Sequence, residues 1–300
     1  MRAKKLRLGF IGAGRVGTGL AMSFARSGRV VAAVASRSTS SARALARRVP
    51  GARAASSPQE AADRADLVFL TVPDDAIEAV ASGIRWRAGT ACVHCSGAGD
   101  LDLLAKPAAE GALVGGFHPL RMFGEPGRSF DLRGCAIAIA GTEALARELV
   151  RLARAIRARP LRLPEGGRAL YHAAANFSGA FVVALIAETI ALWKKLGIAE
   201  ADAKRALLPL LRGSVDNVER LGAAGALGSV VARGDVGTIR RHLAALADAA
   251  PGSLALYRLL SSRTIPLALA KGTLEPAAAR EIEALLAATS ANQERGSGLG

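Results

Sequence analysis

The sequence predicts a doubly wound α/β domain with a parallel sheet, followed by an all-helical domain. In the first half, short runs rich in β-branched residues alternate with helical segments, which is typical of consecutive β-α-β units. From Gly166 onward no further strand-like run bounded by turn residues occurs, and helical patterns fill the remainder. The length of 300 residues suffices for two domains of ordinary size, each with its own core.

The predicted sheet begins with two strands on either side of a glycine turn and a helix. These strands are Leu6–Ile11 and Val30–Ala35, and the helix between them stops at Gly28. The run Asp66–Val72 is strongly apolar, as expected of a central parallel strand that is buried on both faces. Further strands are predicted at 90–95, 111–117, 134–141 and 159–163.

The longest apolar stretch lies in the first helix of the second half, which is predicted at about 169–196. Its residues 173–192 reach the roughly 20 residues that a membrane-spanning helix needs. Asn176, Ser178 and Glu188 interrupt this stretch, and it is richer in alanine than in leucine, so we predict a buried core helix instead, whose residues 181–192 build the core or a dimer contact. Later helices are predicted at about 200–211, 237–249, 254–260 and 276–288.

The change of pattern places the domain boundary between residues 163 and 164. We therefore predict an α/β domain at 1–163 and a helical domain at 164–290. The tail at 291–300 is polar and rich in glycine and serine, so we predict that it is disordered. The basic N-terminus precedes only a short apolar run that leads into glycines, which is not the pattern of a secretory signal.

The formal net charge of +15 comes mostly from arginines spread along the whole chain. Nucleic-acid binding needs a concentrated basic patch, often with stacking aromatic residues, and aromatic residues make up only 4% of this chain. The clearest stripe, Arg147, Arg151 and Arg154, has the spacing of a solvated helix face. We therefore expect anionic cofactors and small acidic substrates, and we expect neither nucleic-acid nor membrane partners.

The three cysteines are too few for a disulfide scaffold and suit a reducing cytoplasm, which is the predicted location. Cys92 and Cys95 have the C-x-x-C spacing of redox and metal motifs. Their segment is predicted to be a buried strand, however, and residues three apart on a strand point to opposite faces. Because no second Cys or His pair with ligand spacing follows nearby in the sequence, we predict no metal site.

A glycine-rich turn follows the first predicted strand and opens the first predicted helix. Gly12, Gly14 and Gly17 form a G-x-G-x-x-G pattern in this turn. In such a setting Gly12 permits a tight turn, Gly14 lets the backbone approach a pyrophosphate, and Gly17 lets helix and strand pack closely. The N–H groups at the start of the helix can bind the phosphates. The pattern therefore predicts a dinucleotide-binding site.

The end of the second predicted strand indicates which dinucleotide binds. NAD sites usually carry an Asp or Glu there, which accepts hydrogen bonds from the ribose hydroxyls. This chain has Ser36, Arg37 and Ser38 instead. A guanidinium flanked by hydroxyls can bind a 2′-phosphate, so we predict NADP as the cofactor. The predicted cofactor contacts, which include the ends of two later strands, are Gly12, Ala13, Gly14, Arg15, Val16, Gly17, Ser36, Arg37, Ser38, Val72, Pro73 and Ser96.

Five segments together make the chain resemble a known two-domain bacterial family. They are the glycine motif at 9–21, TVPDDAI at 71–77, GGFHPLRMF at 115–123, the long helix after YHAAANF at 171–177, and ARGDVGTIRRHLAAL at 232–246. Members of that family join a Rossmann-like NADP-binding domain to a helical domain of unknown function (number 2520). The chain is more distantly similar to pyrroline-5-carboxylate reductases, β-hydroxyacid dehydrogenases and coenzyme-F420-dependent NADP oxidoreductases. The resemblance implies a Rossmann sheet, a helical domain like the C-terminal part of 6-phosphogluconate dehydrogenase, and a homodimer formed through that helical domain.

His172 and Asn176 are the predicted catalytic pair. They lie four residues apart and therefore share one face of the first helix of the second half. The resemblance to β-hydroxyacid dehydrogenases supports this assignment, because those enzymes carry a catalytic lysine and, four residues later, an asparagine after a glycine-rich turn. A histidine can donate a proton near neutral pH. The alternative is a structural His–Asn pair at the domain interface.

His118 and Arg121 are the predicted substrate contacts. His118 follows an apolar strand and precedes Pro119, so its loop should lie at the crevice between the domains. Prephenate dehydrogenases have a similar His-Pro loop near their substrate, and a guanidinium such as that of Arg121 binds carboxylates. The alternative for His118 is a histidine that anchors its loop. Tyr171 is predicted to point about 100° away from His172 around the helix and to take no part in the site.

These residues predict an NADP-dependent oxidoreductase. It would transfer a hydride between NADPH and a small, anionic carbonyl or imine substrate at the domain crevice. One alternative is a non-catalytic NADP-binding sensor or scaffold with the same fold. Another is an enzyme similar to prephenate dehydrogenase.

Overall fold

The computed structural model describes residues 6–124 and 131–288. The chain divides into two compact units, one ending at Ala180 and the other beginning at Phe181. The first unit contains a sheet with its covering helices, and the described part of the second contains helices. The predicted fold class, an α/β domain followed by a helical domain, is confirmed. The predicted disordered tail at 291–300 lies outside the described residues.

The described strands of the first unit form one sheet of eight. They are β1 Arg7–Ile11, β2 Val30–Ala35, β3 Arg53–Ala54, β4 Leu67–Leu70, β5 Ala91–His94, β6 Leu113–Pro119, β7 Ala136–Gly141 and β8 Arg159–Arg162. Their order across the sheet is β3-β2-β1-β4-β5-β6-β7-β8. All neighbouring pairs are parallel except β6 and β7, which are antiparallel. The sheet differs from the predicted parallel arrangement at this pair, because no crossover helix lies between β6 and β7 in the described residues.

The strand order reverses between β1 and β4, because the chain places β2 and β3 on one side of β1 and the later strands on the other. Open α/β sheets bind their ligands outside the carboxyl ends of the strands next to such a reversal. The ends of β1, β2 and β4, and of β5 and β6 beside them, therefore form the edge at which a site is expected.

Helices cover both faces of this sheet. They are α1 Arg15–Arg26, α2 Thr39–Arg48, α3 Pro58–Asp63, α4 Ile77–Ser82, α5 Ala105–Ala109 and α6 Glu143–Ala155, with short 3-10 turns at Asp74–Ala76 and Leu101–Leu104. Buried residues of α1, α2 and α6 pack on one face, and those of α3 and α4 pack on the other. A seventh helix, α7 Arg168–Ser178, follows β8.

A group of phenylalanines fixes the face that α1, α2 and α6 cover. Phe10, Phe24, Phe69 and Phe117 are fully buried. The ring centroids of Phe10 and Phe69 lie 5.2 Å apart, and those of Phe69 and Phe117 lie 5.4 Å apart. Burying one such side chain contributes about 1.5–3 kcal/mol, and aromatic pairs add to this. The carboxyl ends of β1, β4 and β6 are thereby held in a fixed arrangement.

The second unit is helical within the described residues. Its helices are α8 Ala180–Lys195, α9 Glu200–Ala226, α10 Val236–Ala249, α11 Pro251–Lys271 and α12 Pro276–Ala287. Ile239, Ile265 and Ile282 lie at the centre of the core that α10, α11 and α12 share. The predicted helices at 200–211 and 254–260 are too short, because α9 and α11 continue and contain Pro209 and Pro266 within them.

The first helix after the sheet differs from the single helix predicted at about 169–196. Gly179, with φ −113° and ψ −91°, separates α7 from α8. The helix α7 belongs to the first unit, although the sequence places the domain boundary at 163/164. The reason is Arg168 at its start, which is fully buried and donates a hydrogen bond to the carbonyl oxygen of Ser96 beyond β5.

The prediction that the long apolar stretch is a buried core helix is wrong for the described residues, and the alternative of a dimer contact stays a prediction. By length and composition alone, Arg168–Lys195 could cross a membrane, since the mean hydropathy of its best 18-residue window is 1.7. One such helix is weak evidence for a membrane span. Only 6% of that window is buried, and Val183 and Leu185 of α8 are exposed. Hydrophobic patterning shows that a face avoids water, but it does not show whether the covering surface belongs to the same chain.

Candidate functional site

The glycine turn between β1 and α1 is held by close backbone contacts. Gly12 has a φ of +110°, and a Cβ placed there would overlap with the carbonyl of Thr71. A Cβ on Gly17 would overlap with the carbonyl oxygen of Gly12 and would lie 2.6 Å from Oγ1 of Thr71. The Thr71 hydroxyl donates a hydrogen bond to the Gly12 carbonyl at 2.7 Å. Gly14 differs from both, because a Cβ there would meet no atom within 4 Å and would face open space.

A cleft of about 690 Å³ lies along the carboxyl ends of β1, β2 and β4; we call it the glycine-loop cleft. Eight predicted cofactor contacts line it: Gly12, Ala13, Gly14, Ser36, Arg37, Ser38, Val72 and Pro73. The sequence analysis missed Ser41 and Thr71, which also line it. Ser41 could have been found from the helix start, because its N–H binds the hydroxyl of Ser38, the N-cap of α2, at 3.3 Å.

The other four predicted cofactor contacts lie outside the lining of this cleft. Val16 and Gly17 are on α1, and Gly17 packs against the turn and the end of β4. The guanidinium of Arg15 donates to the carbonyl oxygen of Phe123 at 3.2 Å. Ser96 is buried beyond β5, where its hydroxyl donates to Asp74 at 2.6 Å and accepts from the Gly99 N–H at 2.9 Å.

A second cleft, of about 590 Å³, lies between the carboxyl end of β6 and α7; we call it the histidine cleft. All four predicted catalytic and substrate-binding residues line it: His118, Arg121, His172 and Asn176. Tyr171 and Met122 line it as well. The structure therefore brings together residues that are more than 50 positions apart in the sequence.

The rings of His118 and His172 converge on Gly97, which follows β5. Their centroids lie 5.8 Å apart and their planes are at 80°. The Nε2 atom of each ring lies 3.0 Å from the position that a Cβ on Gly97 would occupy. A side chain at position 97 would thus displace one or both rings. The missing side chain leaves room for two imidazole nitrogens at one point on the sheet edge.

The prediction that Tyr171 takes no part in the site is wrong. Its hydroxyl lies 3.1 Å from Nδ1 of His118, and the two rings pack edge to face at 82° with centroids 5.8 Å apart. The rotation of about 100° between neighbouring helix residues does separate Tyr171 from His172 on α7. The same rotation turns Tyr171 towards β6, where His118 lies. Tyr171 and His172 therefore line the same cleft from different sides of α7.

His118 is neutral at physiological pH. Burial lowers its pKa to about 4, and the positive charges of Arg168 and His172 act in the same direction. A buried imidazole loses hydration on protonation, and nearby cations disfavour a further positive charge. His118 can therefore donate or accept a hydrogen bond at neutral pH, but it carries no charge.

Asn176 and Arg121 both line the histidine cleft, and each is held by a backbone carbonyl. The amide of Asn176 donates to the carbonyl oxygen of His172 at 3.3 Å, so the bond between the predicted catalytic pair involves the helix backbone and not the imidazole. One guanidinium N–H of Arg121 donates to the carbonyl oxygen of Asp131 at 2.8 Å. The Arg121 guanidinium has five N–H groups in a planar fork, which is suited to binding a carboxylate.

Arg168 is the largest fully buried side chain described and was missed in the sequence analysis. Its Nε and Nη1 groups have no hydrogen-bond partner in the described residues, and burial lowers its pKa. The guanidinium lies over Gly116 of β6, where a Cβ would be only 2.5 Å from Nη1. The bond from Arg168 to Ser96 therefore fastens the start of α7 to the sheet edge and brings His172 to Gly97.

His94, the last residue of β5, is completely buried near Arg168. Neither of its ring nitrogens has a partner in the described part of the chain. Burial, with the charge of Arg168 as a smaller cause, lowers its pKa to about 4. His94 is thus a second neutral imidazole beneath the histidine cleft, and it does not line that cleft.

The two cysteines of the C-x-x-C segment lie on opposite faces of the sheet, as predicted. Cys92 packs in the core beneath α3 and α4, and Cys95 packs in the core beneath α1 and α6. Burial raises the pKa of both thiols, which keeps them protonated. The described residues contain no group of three or more His, Cys, Asp or Glu side chains that could hold a metal ion.

A glycine turn between a strand and a helix, with a cleft at the carboxyl ends of the strands beside the reversal of strand order, defines a Rossmann-type nucleotide-binding sheet. Two family models match the chain, and one of them is a Rossmann-like model. Residues 1–119 match the Rossmann-like domain, and residues 135–264 match the domain of unknown function DUF2520. The chain therefore has the two-domain architecture of a Rossmann-like domain followed by DUF2520.

Solved structures share this fold over nearly the whole chain. A protein from Bacteroides fragilis, provisionally assigned as an NADP oxidoreductase, is 26% identical with a TM-score of 0.68, over 87% of this chain and 98% of that one. A reductive aminase from Aspergillus terreus, in complex with NADPH and ethyl-5-oxohexanoate, is 19% identical with a TM-score of 0.62, over 94% and 93%.

A pyrroline carboxylate reductase from Plasmodium falciparum with NADP bound is also similar. It is 16% identical with a TM-score of 0.57, over 93% of this chain and 98% of that one. A comparison with curated protein sequences finds no match. At identities this low the similarity describes the fold, and the residues of this chain must carry any statement about its chemistry.

Proposed function

We propose that this chain is an NADP-dependent oxidoreductase that acts on a small, anionic carbonyl or imine compound. One observation carries the proposal. The histidine cleft lies at the end of β6 and the glycine-loop cleft lies at the ends of β1, β2 and β4, so both clefts open on the carboxyl edge of one sheet, with β5 between β4 and β6. A dinucleotide-sized cleft and a cleft with proton-donating side chains thus lie along the same sheet edge. Three similar structures are named for NADP chemistry or contain NADP or NADPH.

The side chains of the histidine cleft suit this reaction. Bound NADPH supplies the hydride, and the carbonyl oxygen or imine nitrogen then needs one proton. His172 is the proposed proton donor, because its Nε2 lies beside Gly97 at the sheet edge. The Asn176 amide binds the backbone carbonyl of His172 one helix turn away. Arg121, which also lines the cleft, is proposed to bind a substrate carboxylate.

Arg37 and its neighbouring hydroxyls support NADP over NAD. Ser36, Arg37 and Ser38 line the glycine-loop cleft at the end of β2, together with Ser41. A 2′-phosphate in that position would meet a guanidinium and three hydroxyls instead of the carboxylate that selects NAD.

Replacing Arg37 with alanine tests this cofactor assignment. We expect the affinity for NADPH to fall by about 10- to 100-fold, because a charge-assisted hydrogen bond to the 2′-phosphate is lost, while NADH binding stays the same. Fluorescence titration of both cofactors measures the change. Arg47→Ala is the matched control, since Arg47 is exposed on α2, the helix that follows Arg37, and lies outside the cleft. A wild-type protein that prefers NADH would contradict the proposal.

Turnover is tested with NADPH and a panel of keto acids and cyclic imines, following the loss of NADPH absorbance, and with NADP and prephenate, following the gain of NADPH absorbance. Oxidation of NADPH with an anionic carbonyl or imine compound supports the proposal. Turnover of prephenate with NADP would instead favour an enzyme similar to prephenate dehydrogenase. Tight NADPH binding without turnover of any compound would favour the non-catalytic sensor.

We further propose that the protein is a homodimer formed through its helical unit. Helix α8 exposes Val183 and Leu185, and α9 exposes Val215, Val218 and Leu221. Exposed apolar patches of this kind mark interaction surfaces, and identical chains most often pair two such patches about a twofold axis. Light scattering after size exclusion should give a dimer mass, and Val218→Glu should give a monomer where Glu219→Ala does not.

A cytoplasmic location without nucleic-acid or membrane partners is also part of the proposal. Reduced cysteines and a small acidic substrate agree with it. In the proposed dimer the second chain covers the exposed apolar residues of α8, so these residues do not require a membrane to shield them from water. Membrane association of the purified dimer would contradict this assignment.

A further inference from the structure

Tyr171 and His118 form a hydrogen-bonded pair whose geometry bears on the chemistry of the histidine cleft. The Tyr171 hydroxyl engages Nδ1 of His118 at 3.1 Å. The other ring nitrogen, Nε2, points to Gly97 beside the Nε2 atom of His172. One nitrogen of His118 is therefore committed to Tyr171, whereas Nε2 has no hydrogen-bond partner in the described residues and is available to a ligand in the histidine cleft that His118 lines.

A neutral imidazole carries its single proton on one nitrogen, and the partner of the other nitrogen decides which. Tyr171 stays protonated at physiological pH, because burial raises the pKa of its hydroxyl. Its O–H has no other partner in the described residues. Donation from this O–H to the lone pair of Nδ1 satisfies both groups. Donation in the opposite direction would leave the half-buried O–H without a protein acceptor.

We propose that Tyr171 is a positioning residue that holds His118 in the tautomer with its proton on Nε2, so that His118 donates a hydrogen bond to the substrate beside Gly97. The catalytic meaning of this inference rests on the proposed function. His118 then polarises the carbonyl or imine group, or holds a substrate oxygen, while His172 delivers the proton. The two histidines thus have different tasks although they converge on the same point.

The surroundings of His118 favour the neutral state that this task needs. The titratable groups that face it are Arg168, Tyr171 and His172 of α7, Asp74 after β4, and His94 of β5. A cationic His118 would be an acid competing with His172, whereas a neutral one is a fixed hydrogen-bond donor. Neutral imidazoles can polarise a carbonyl in this way when their surroundings depress the pKa.

The chain contains a second pair of the same kind, which serves as a control. In the helical unit, Nδ1 of His242 lies 2.8 Å from the hydroxyl of Tyr257, with the rings at 83°. His242 is exposed, and neither residue lines the glycine-loop or histidine cleft. Tyr257→Phe therefore removes a hydroxyl from an equivalent pair away from the site.

The direct test is nitrogen NMR of the imidazoles in protein labelled with ¹⁵N-histidine. The chain has four histidines, so His118→Gln identifies the signals of His118. We expect wild-type His118 to show a protonated Nε2 and an unprotonated Nδ1 at neutral pH. Tyr171→Phe should convert these signals to a mixture of both tautomers, and Tyr257→Phe should leave them unchanged. This measurement needs no substrate, so it remains decisive even if the proposed reaction is not found.

A kinetic test accompanies it where turnover is measurable. We expect Tyr171→Phe to lower kcat about tenfold, the effect of one hydrogen bond made in the transition state, with the NADPH affinity unchanged. Tyr257→Phe should keep the wild-type kcat. An unprotonated Nε2 on wild-type His118, or a tautomer that Tyr171→Phe does not alter, would overturn the inference. Absence of turnover in the wild type with the expected tautomer would count against the proposed function alone.

Discussion

Replacing His172 with glutamine should lower kcat/KM by about 10²- to 10⁴-fold, which is the usual contribution of a general acid. Glutamine keeps much of the side-chain size and can donate a hydrogen bond, but it cannot deliver a proton. The Nε2 atom of His172 lies at Gly97, at the edge where β5 ends. The affinity for NADPH should not change, because His172 lies outside the glycine-loop cleft. Steady-state kinetics and a separate NADPH titration measure the two quantities.

His242→Gln is the matched control for this variant. His242 lies in the helical unit, is exposed, and should tolerate the same change with wild-type turnover. Asn176→Ala should have a smaller effect, because the Asn176 amide binds the backbone of His172 and not its ring. Full activity of His172→Gln would assign the proton donor to another residue. Loss of activity together with loss of NADPH binding would instead indicate a structural role for His172.

The glycine-loop cleft could be predicted from the sequence because its residues are close together in local motifs. Gly12 and Gly14 belong to one strand–turn–helix unit, and Ser36 and Arg37 follow the next strand directly. Their geometry depends on secondary structure and on the general rule for strand ends. Ser96 is a partial exception. It does lie at a strand end, but its hydroxyl is bound to Asp74, a contact that no local pattern indicates.

The histidine cleft could be predicted only in part, since its residues come from distant segments. His118 and His172 were identified by their loop and helix positions, but their meeting at Gly97 depends on how α7 packs on the sheet. Arg168 determines that packing, and its partner Gly116 lies on a strand far upstream in the sequence. The helix geometry placed Tyr171 correctly relative to His172. It could not show that β6 supplies a partner on that side.

The exposure of α8 in the described residues could not be predicted from its apolar pattern. The apolar pattern of this helix identifies residues that avoid water, such as Val183 and Leu185. A core helix, a membrane span and a dimer contact all produce this pattern. Composition alone could not distinguish among them, so the sequence left both a core position and a dimer contact open for residues 181–192.

Replacing Gly14 with alanine should abolish most NADPH binding without destabilising the protein. Gly14 has a φ of −75° and a ψ of −166°, which alanine adopts readily, and its Cβ would enter open space. The change in the free energy of unfolding should therefore stay within about 0.5 kcal/mol. The same Cβ would occupy the position where the backbone approaches the pyrophosphate, so the affinity should fall by roughly 100-fold. Chemical denaturation and NADPH fluorescence titration measure the two effects.

Gly17→Ala should lose both stability and binding, and the contrast between the two variants is the decisive result. The Cβ on Gly17 would overlap with the Gly12 carbonyl oxygen, so the turn or α1 must shift at a cost of about 1–3 kcal/mol. Gly252→Ala is the control for both, because Gly252 lies in α11 with open space around it. Should Gly14→Ala bind NADPH as tightly as the wild type, the pyrophosphate cannot lie over this turn. The assignment of the glycine-loop cleft to the cofactor would then fail, since Gly14 faces a part of the turn that the described residues leave empty.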